Sequence, residues 1–532
     1  MMKRCLTLMV MALFCLFSGR AQVTPQNLYD FNFIKGSEPW LTSSNAAGLI
    51  RLPVEKIFIT QAGFDKNNGG FVAHHQSDDS FNAGALAESF SHLGKDVYVY
   101  GKLSYDYFKG KNMGGSVMSD PFHSPLNVVA MADSTAGVKT LETYQLTGGV
   151  AYRFNDALSA GGRIDYTGGN YSKARDPRHV NMIMDMEVTA GLSWNIGNKV
   201  VIGADYIFRR NLESFYYQIY GTTDKLYYYL VDYGGFFGQR EVFGEKGYST
   251  QTNTMPLLTT YHGGALQLEI GPSSRVRLFN EFSFKSFDGY YGRKSTSTIM
   301  YSAHNGFQAG YNGHLSFGKG DNRHIVKLSA DYTHLINNEN VYQEKNIEGV
   351  KEIIYFGSNE VLDRNLIEGN LEYSANLGIR DHRPTLVLKA TADAMYRTQT
   401  ASLYPFYRKQ NILAIDGLLS GAYNIFRESG IIGIRLCAGF GSGTGNPLND
   451  GLYTQTNNPR APRTMDDAML KEFEFFTANR INAGAGFRYS HFFKNNITGY
   501  IDLDYRLINA LGINYLAGAM HHCISAVVGI SF

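Results

Sequence analysis

The chain has 532 residues and a formal net charge of +2, with 36 Tyr, 34 Phe and 57 Gly beside only 13 Pro. Such a balance offers no electrostatic footprint for nucleic acid, and no apolar run beyond the amino terminus is long enough for a membrane helix. What remains is an all-β chain, and the pattern along it has to say whether it sits in water or in lipid.

The first residues set the compartment. Lys3 and Arg4 precede an apolar run from Cys5 to Phe17, and small residues follow at Gly19 and Ala21, which is the layout of a secretory signal peptide over residues 1–21. Its removal takes away Lys3, Arg4 and Arg20 and no acid, turning the charge from +2 to −1. Cys437 and Cys523 are then the remaining cysteines, too few for a disulfide framework.

Residues 22–53 form a segment too short for a folded plug domain. They carry enough apolar side chains, Phe31, Phe33, Ile34, Trp40 and Leu41, to pack in the periplasm or to fold back into a lumen. The stretch Trp40-Leu41-Thr42-Ser43-Ser44-Asn45-Ala46-Ala47-Gly48-Leu49 resembles the amino-terminal hatch of the long-chain fatty-acid transporter family, without that family's proline. The resemblance implies a hatch in which Trp40 and Asn45 take part.

From about residue 54 to the end, segments of alternating apolar and polar residues recur, with period 2. Each has roughly the 9–11 residues that a tilted strand needs to cross a bilayer, or somewhat more. In Leu141 to Phe154, one face carries Tyr144, Leu146, Val150, Tyr152 and Phe154 and the other Gln145, Thr147, Ala151 and Arg153. Short links such as GNK at Gly197 and GPSS at Gly271 alternate with long ones over 66–79, 110–140, 171–182, 214–257, 290–303, 338–362, 398–409, 442–472 and 510–517. This order predicts a transmembrane antiparallel β-barrel of about 18 strands (16 if the first hairpin fails), with short periplasmic turns and long extracellular loops. Aromatics such as Tyr152, Phe154, Trp194, Tyr206 and Phe487 fall where strands meet the membrane interface.

Apolar faces turned to lipid place Arg163, Asp165, Glu187, Asp205, Glu281, Lys285, Lys327, Asp331, Glu368, Glu372, Lys389, Asp393, Arg435, Arg480, Arg488, Asp502, Asp504 and Arg506 in the lumen. Such a mixed interior either selects solutes through charge rings or forms cross-strand ion pairs that stiffen the wall. The longest loop holds Tyr216, Tyr217, Tyr220, Tyr227, Tyr228, Tyr229, Phe236 and Phe237, which either bind a ligand or partner or pack on one another. Asn449, Asp450, Asp466 and Asp467 lack the ordered spacing of a calcium loop. The run from Gly313 to Gly320 follows a phosphate loop until its last position, where Gly320 stands in place of Ser or Thr. No cofactor, metal or catalytic constellation is expected.

The last strand alternates to its end at Phe532, which resembles the carboxy-terminal signal by which insertion machinery recognises outer-membrane barrels. Over its whole length the layout looks like an uncharacterised family of outer-membrane barrels of Bacteroidota, and the resemblance implies a location in outer-membrane lipid. The leading expectation is a channel or transporter for an unidentified solute. A non-conducting barrel that binds a ligand, surface lipoprotein or receptor through its aromatic loops comes second, and an outer-membrane hydrolase third.

Overall fold

The computed structural model describes residues 29–532 apart from 198, 222–223, 245–247, 296–297, 348–349, 456, 458–460 and 494–496. The expected signal peptide, residues 1–21, lies outside the described residues. Eighteen strands form one closed antiparallel sheet, the expected number rather than the fallback of 16. Each pairs with the next along the barrel, and the first, Lys56–Gly69, pairs with the last, Met520–Ser531, from Ile59 opposite Ser531 to Gly69 opposite His521. Closure satisfies every strand edge within the wall, which is the condition for a sheet to cross hydrocarbon.

The alternation decides which face is which. Tyr144, Leu146, Val150 and Tyr152 are exposed on the outside, whereas Thr147 and Ala151 between them are buried against the interior. Ile524, Ile530 and Phe532 point outward on the last strand in the same way, as do Trp194, Tyr206 and Phe487 elsewhere. An apolar belt of this extent is untenable in water and stable against lipid tails. Among the described residues no helix is long and apolar enough to cross a membrane, so the strands do the crossing.

Turns at one end are tight. Gly197 and Gly271, with φ of +56° and +70°, adopt the left-handed conformation that a side chain resists. The strand that carries Gly313 runs on to Lys319 and turns at Gly320, so its glycines serve a hairpin and not a phosphate loop.

At the other end the expected loops over 290–303, 338–362 and 398–409 are mostly strand. The pairs Val276–Ser295 with Thr298–Lys319, Asn322–Ile347 with Val350–Leu377, and Leu386–Leu403 with Phe406–Arg427 continue through them. The alternation fades there because both faces meet water above the lipid, while backbone pairing needs no apolar face. Three true loops, after Met113, Gln218 and Leu452, come together in a second, four-stranded sheet. Its order is Arg463–Thr464, Phe237–Phe243, Tyr227–Asp232, Asn127–Ala130. A helix over Asp466–Thr477 completes this end.

A plugged and capped lumen as the candidate functional site

Residues 30–52 occupy the lumen at the short-turn end. Asp30 caps the helix Phe31–Ser37 by accepting from Phe33 N at 2.9 Å, and two 3-10 turns, Pro39–Leu41 and Ala46–Arg51, follow. Phe31, Ile34, Leu41 and Leu49 pack with Ile57, Ile59, Phe90, Tyr98 and Tyr100 of the inner wall. We refer to this segment as the plug.

Its grip on the wall is specific. Trp40, 1% exposed, lies edge-on to Phe279 at 5.2 Å and donates from Nε1 to Glu269 Oε2 at 2.8 Å. Arg277 holds Glu269 and also grips Glu38 of the plug with two bonds of 3.0 Å. Asn45 donates to the Leu192 carbonyl and to Gln267 Oε1, both at 2.9 Å, while its Oδ1 accepts from Ala47 N and so caps the second turn. Ser44 donates to Asp205 at 2.6 Å.

The wall is hollowed to receive these groups. A Cβ on Gly191 would stand 2.3 Å from Asn45 Oδ1, one on Gly203 2.9 Å from the Trp40 ring, and one on Gly161 2.5 Å from the backbone between Ala46 and Ala47. Three neighbouring strands therefore lack side chains where the plug sits. Trp40 and Asn45, expected to take part in a hatch, are both at its centre.

The four-stranded sheet and the helix Asp466–Thr477 form a cap over the opposite end. Asp466 and Asp467 lie in the first turn of the helix Asp466–Thr477, where the dipole favours acids, and Met469, Phe473 and Phe476 recur at helical spacing. Met469 and Ala468 pack with Val129, Leu230 and Phe236 of the loop sheet. Arg408, 1% exposed, bonds Asp450, Asp466 and the Gly235 carbonyl, so two of these acids are ion-paired within the cap. Glu474 accepts from the backbone N–H groups of Tyr515 and Leu516 at 2.7 and 2.8 Å and ties in the last loop. From the loop after Met113, His123 reaches Glu368 at 3.3 Å while its other nitrogen meets Asp120 at 2.8 Å. Burial opposes the charge on His123, but these two carboxylates outweigh it and push the imidazole up to about 9.

The aromatic loop mostly serves this closure. Tyr216, Tyr217, Tyr227, Tyr229, Phe236 and Phe237 are buried, and Tyr217, Tyr227 and Tyr229 share one cluster with Phe215, Phe243 and Tyr291. Tyr220 and Tyr228 alone of the eight are exposed, each with an arginine over its ring, Arg178 and Arg240.

Most of the charged lumen candidates meet as pairs. Arg163 pairs with Asp165, Glu187 with Lys285, Glu372 with both Lys327 and Lys389, and Arg435 with Asp502 and Asp504. Arg488 stands 3.7 Å from Asp502 and covers the Tyr500 ring, and Arg480 pairs with Asp416, a residue not singled out from the sequence. Arg506 faces the lumen but has no ion pair within 4 Å among the described residues.

Between plug and cap a cavity of about 610 Å³ remains, lined by Phe71, Phe475 and Phe476, by Asp331, Glu368, Asp393 and Asp416, and by Arg480 and His521. Among the described residues no group of three or more His, Cys, Asp or Glu could hold a metal ion.

A closed antiparallel barrel with an apolar belt, a seated plug and a folded cap defines a transmembrane β-barrel with an internal chamber. The chain belongs to a family of unknown function, DUF6850, whose model matches residues 46–532. No curated protein matches. Among solved structures the chain is similar to the ferric preacinetobactin receptor BauA of Acinetobacter baumannii, with 10% identity, 89% of this chain and 80% of that one covered, and a TM-score of 0.39. It is also similar to the outer membrane transporter YddB of Escherichia coli (8% identity, 89% and 80% covered, TM-score 0.39) and to the toluene transporter TodX of P. putida (12%, 92% and 92%, TM-score 0.29).

Proposed function

We propose that this protein is an outer-membrane channel or transporter whose resting state is shut by the plug, with solute passing through the chamber when the plug gives way. The observation that carries the reading is the chamber itself: a cavity of about 610 Å³, lined in part by carboxylates, kept between a seated plug and a folded cap inside a barrel. A barrel serving only as a scaffold could fill that volume with side chains, as small barrels do. The mostly inward-turned aromatic loop likewise favours closure over display to a surface lipoprotein.

Single-channel conductance of the folded full-length mature chain in a planar bilayer tests this. The protein as it stands is expected to be quiet, and a form lacking residues 30–52 to give steady, ohmic steps. Silence from the plugless form, shown to be folded by its resistance to SDS at room temperature, would move the reading to a non-conducting binder.

A further inference from the structure

We propose that the chamber binds an organic cation, an amine or guanidinium carried on an apolar stem. The inference rests on the transport reading for its purpose and on the geometry of the cavity for its chemistry.

The wall facing the cavity is arranged against its own stability. In the strand register Asp331 lies directly opposite Glu368, and Asp393 directly opposite Asp416. Like charges in such cross-strand positions repel and destabilise a sheet. Two of the four are answered by the protein, Glu368 by His123 and Asp416 by Arg480. Among the described residues no basic nitrogen comes within 4 Å of Asp331 or Asp393, and Asp393 instead accepts from Asn370 Nδ2 at 2.6 Å. Of the other lumen carboxylates, Asp502 and Glu372 have arginine or lysine beside them, while Asp205 and Glu281 are bonded by Ser44 of the plug. Asp331 and Asp393 face the open space instead.

Part of the lining is aromatic. Phe71 from the first loop packs on Phe475 at 5.2 Å, and Phe475 on Phe476 at 5.4 Å. Aromatic rings and carboxylates lining one cavity suit one class of small molecule well: the rings take an apolar stem and attract a cation through their quadrupole, while the acids take its N–H groups. An anion would meet four carboxylates against one guanidinium, Arg480, already paired with Asp416, and a neutral solute would leave Asp331 and Asp393 without a cation within 4 Å. The volume is within the usual ~300–1,000 Å³ range of small-molecule sites.

The space also leads toward the plug. Ser329 and Asn370 line both the chamber and a second cavity of about 270 Å³, whose other walls include Thr42 and Ser43 of the plug and Glu281 and His314 of the barrel. His314 is 6% exposed and its ring is bonded to the Gly36 backbone, yet Nε2 has no hydrogen-bond partner. A solute long enough to reach past Asn370 finds an unused nitrogen there. A cation bound in the chamber is thus within reach of the plug's own contacts.

The test is titration calorimetry on the folded mature chain in detergent with three probes of one shape: phenethylammonium, phenethyl alcohol and phenylacetate. The expected result is binding of the ammonium at least tenfold tighter than either control, weakened by salt, and reduced at least tenfold in the Asp331→Asn/Asp393→Asn double variant. Equal binding of the three, or an unchanged affinity in the double variant, overturns the proposal. So does the absence of binding in both the native chain and a Trp40→Ala variant with a loosened plug. Uptake of the same probes into proteoliposomes separates the two readings. Tight, charge-selective binding without uptake would remove the transport function and keep the ligand class, whereas uptake of all three alike would do the reverse.

Discussion

Trp40 Nε1 donates to Glu269 Oε2 across 2.8 Å, joining the middle of the plug to the barrel wall at a carboxylate that Arg277 also holds. Both residues are almost wholly buried, so water does not replace the bond once it is lost.

Truncating Trp40 to Ala should therefore unseat the plug and leave the barrel standing. The loss of so large a buried ring costs about 3–5 kcal/mol, enough to shift the plug from docked to mostly free if it moves as one unit. The expected readout is conductance: at least a tenfold rise in time spent open over the native chain, with unchanged resistance of the barrel to SDS.

The socket can be blocked from the other side. Gly191→Leu puts a Cβ 2.3 Å from Asn45 Oδ1, whereas Gly101→Leu adds a side chain where nothing lies within 4 Å. The first should give the same leak as Trp40→Ala and the second should stay as quiet as the native chain. Equal behaviour of the two would mean that the glycines of the wall do not position the plug.

On the cap, Arg408→Gln removes the guanidinium that joins Asp450, Asp466 and the Gly235 carbonyl. Each lost bond to a buried partner is worth about 1–3 kcal/mol, and less here because both acids are half exposed. Limited trypsin digestion reads the effect. Cleavage after Lys471, slow in the native chain because the helix is packed into the cap, should become at least several-fold faster.

His123 gives the cap a pH dependence. Its folded pKa, about 9, exceeds the ordinary value of 6.5, because the bonds to Asp120 and Glu368 overcome the opposing effect of burial. A raised pKa means that the stabilisation is fully present below pH 6.5 and is lost as pH rises through 9. The side chain is half exposed, so the contribution is small, well under ~1 kcal/mol after screening. Thermal unfolding between pH 6.5 and 9.5 should show a downward slope in the native chain that His123→Gln lacks.

Alternation carried most of the wall. Tyr144, Leu146 and Val150 reveal their outward face by period alone, and the inward positions of Arg163, Arg435 and Arg480 follow from it. Asp416 was readable by the same rule, flanked as it is by Ile415 and Gly417, but the alternation is interrupted there by small residues. The helix Asp466–Thr477 was hidden inside a region read as loop, although Asp466 and Asp467 followed by Met469, Phe473 and Phe476 are a helix signature. The seat of Trp40 was beyond reach for a different reason. Its partners Val201, Glu269 and Phe279 stand in one row across three adjacent strands far along the chain, and only the folding of the plug into the lumen brings Trp40 to them.

The unequal lengths of the strands bear on how anything reaches the mouth. Arg480–Phe492 and Thr498–Ala510 have 13 residues each, whereas Asn322–Ile347 and Val350–Leu377 have 26 and 28. At ~3.3 Å per residue and a tilt near 40°, the long pair rises roughly 35 Å higher above the membrane than the short pair. The rim is consequently a slope, a tall screen on one side and a low sill on the other. Arrivals from the cell surface meet the sill first, and the loops bearing Phe71 and Leu516 stand on it like a threshold to the chamber behind.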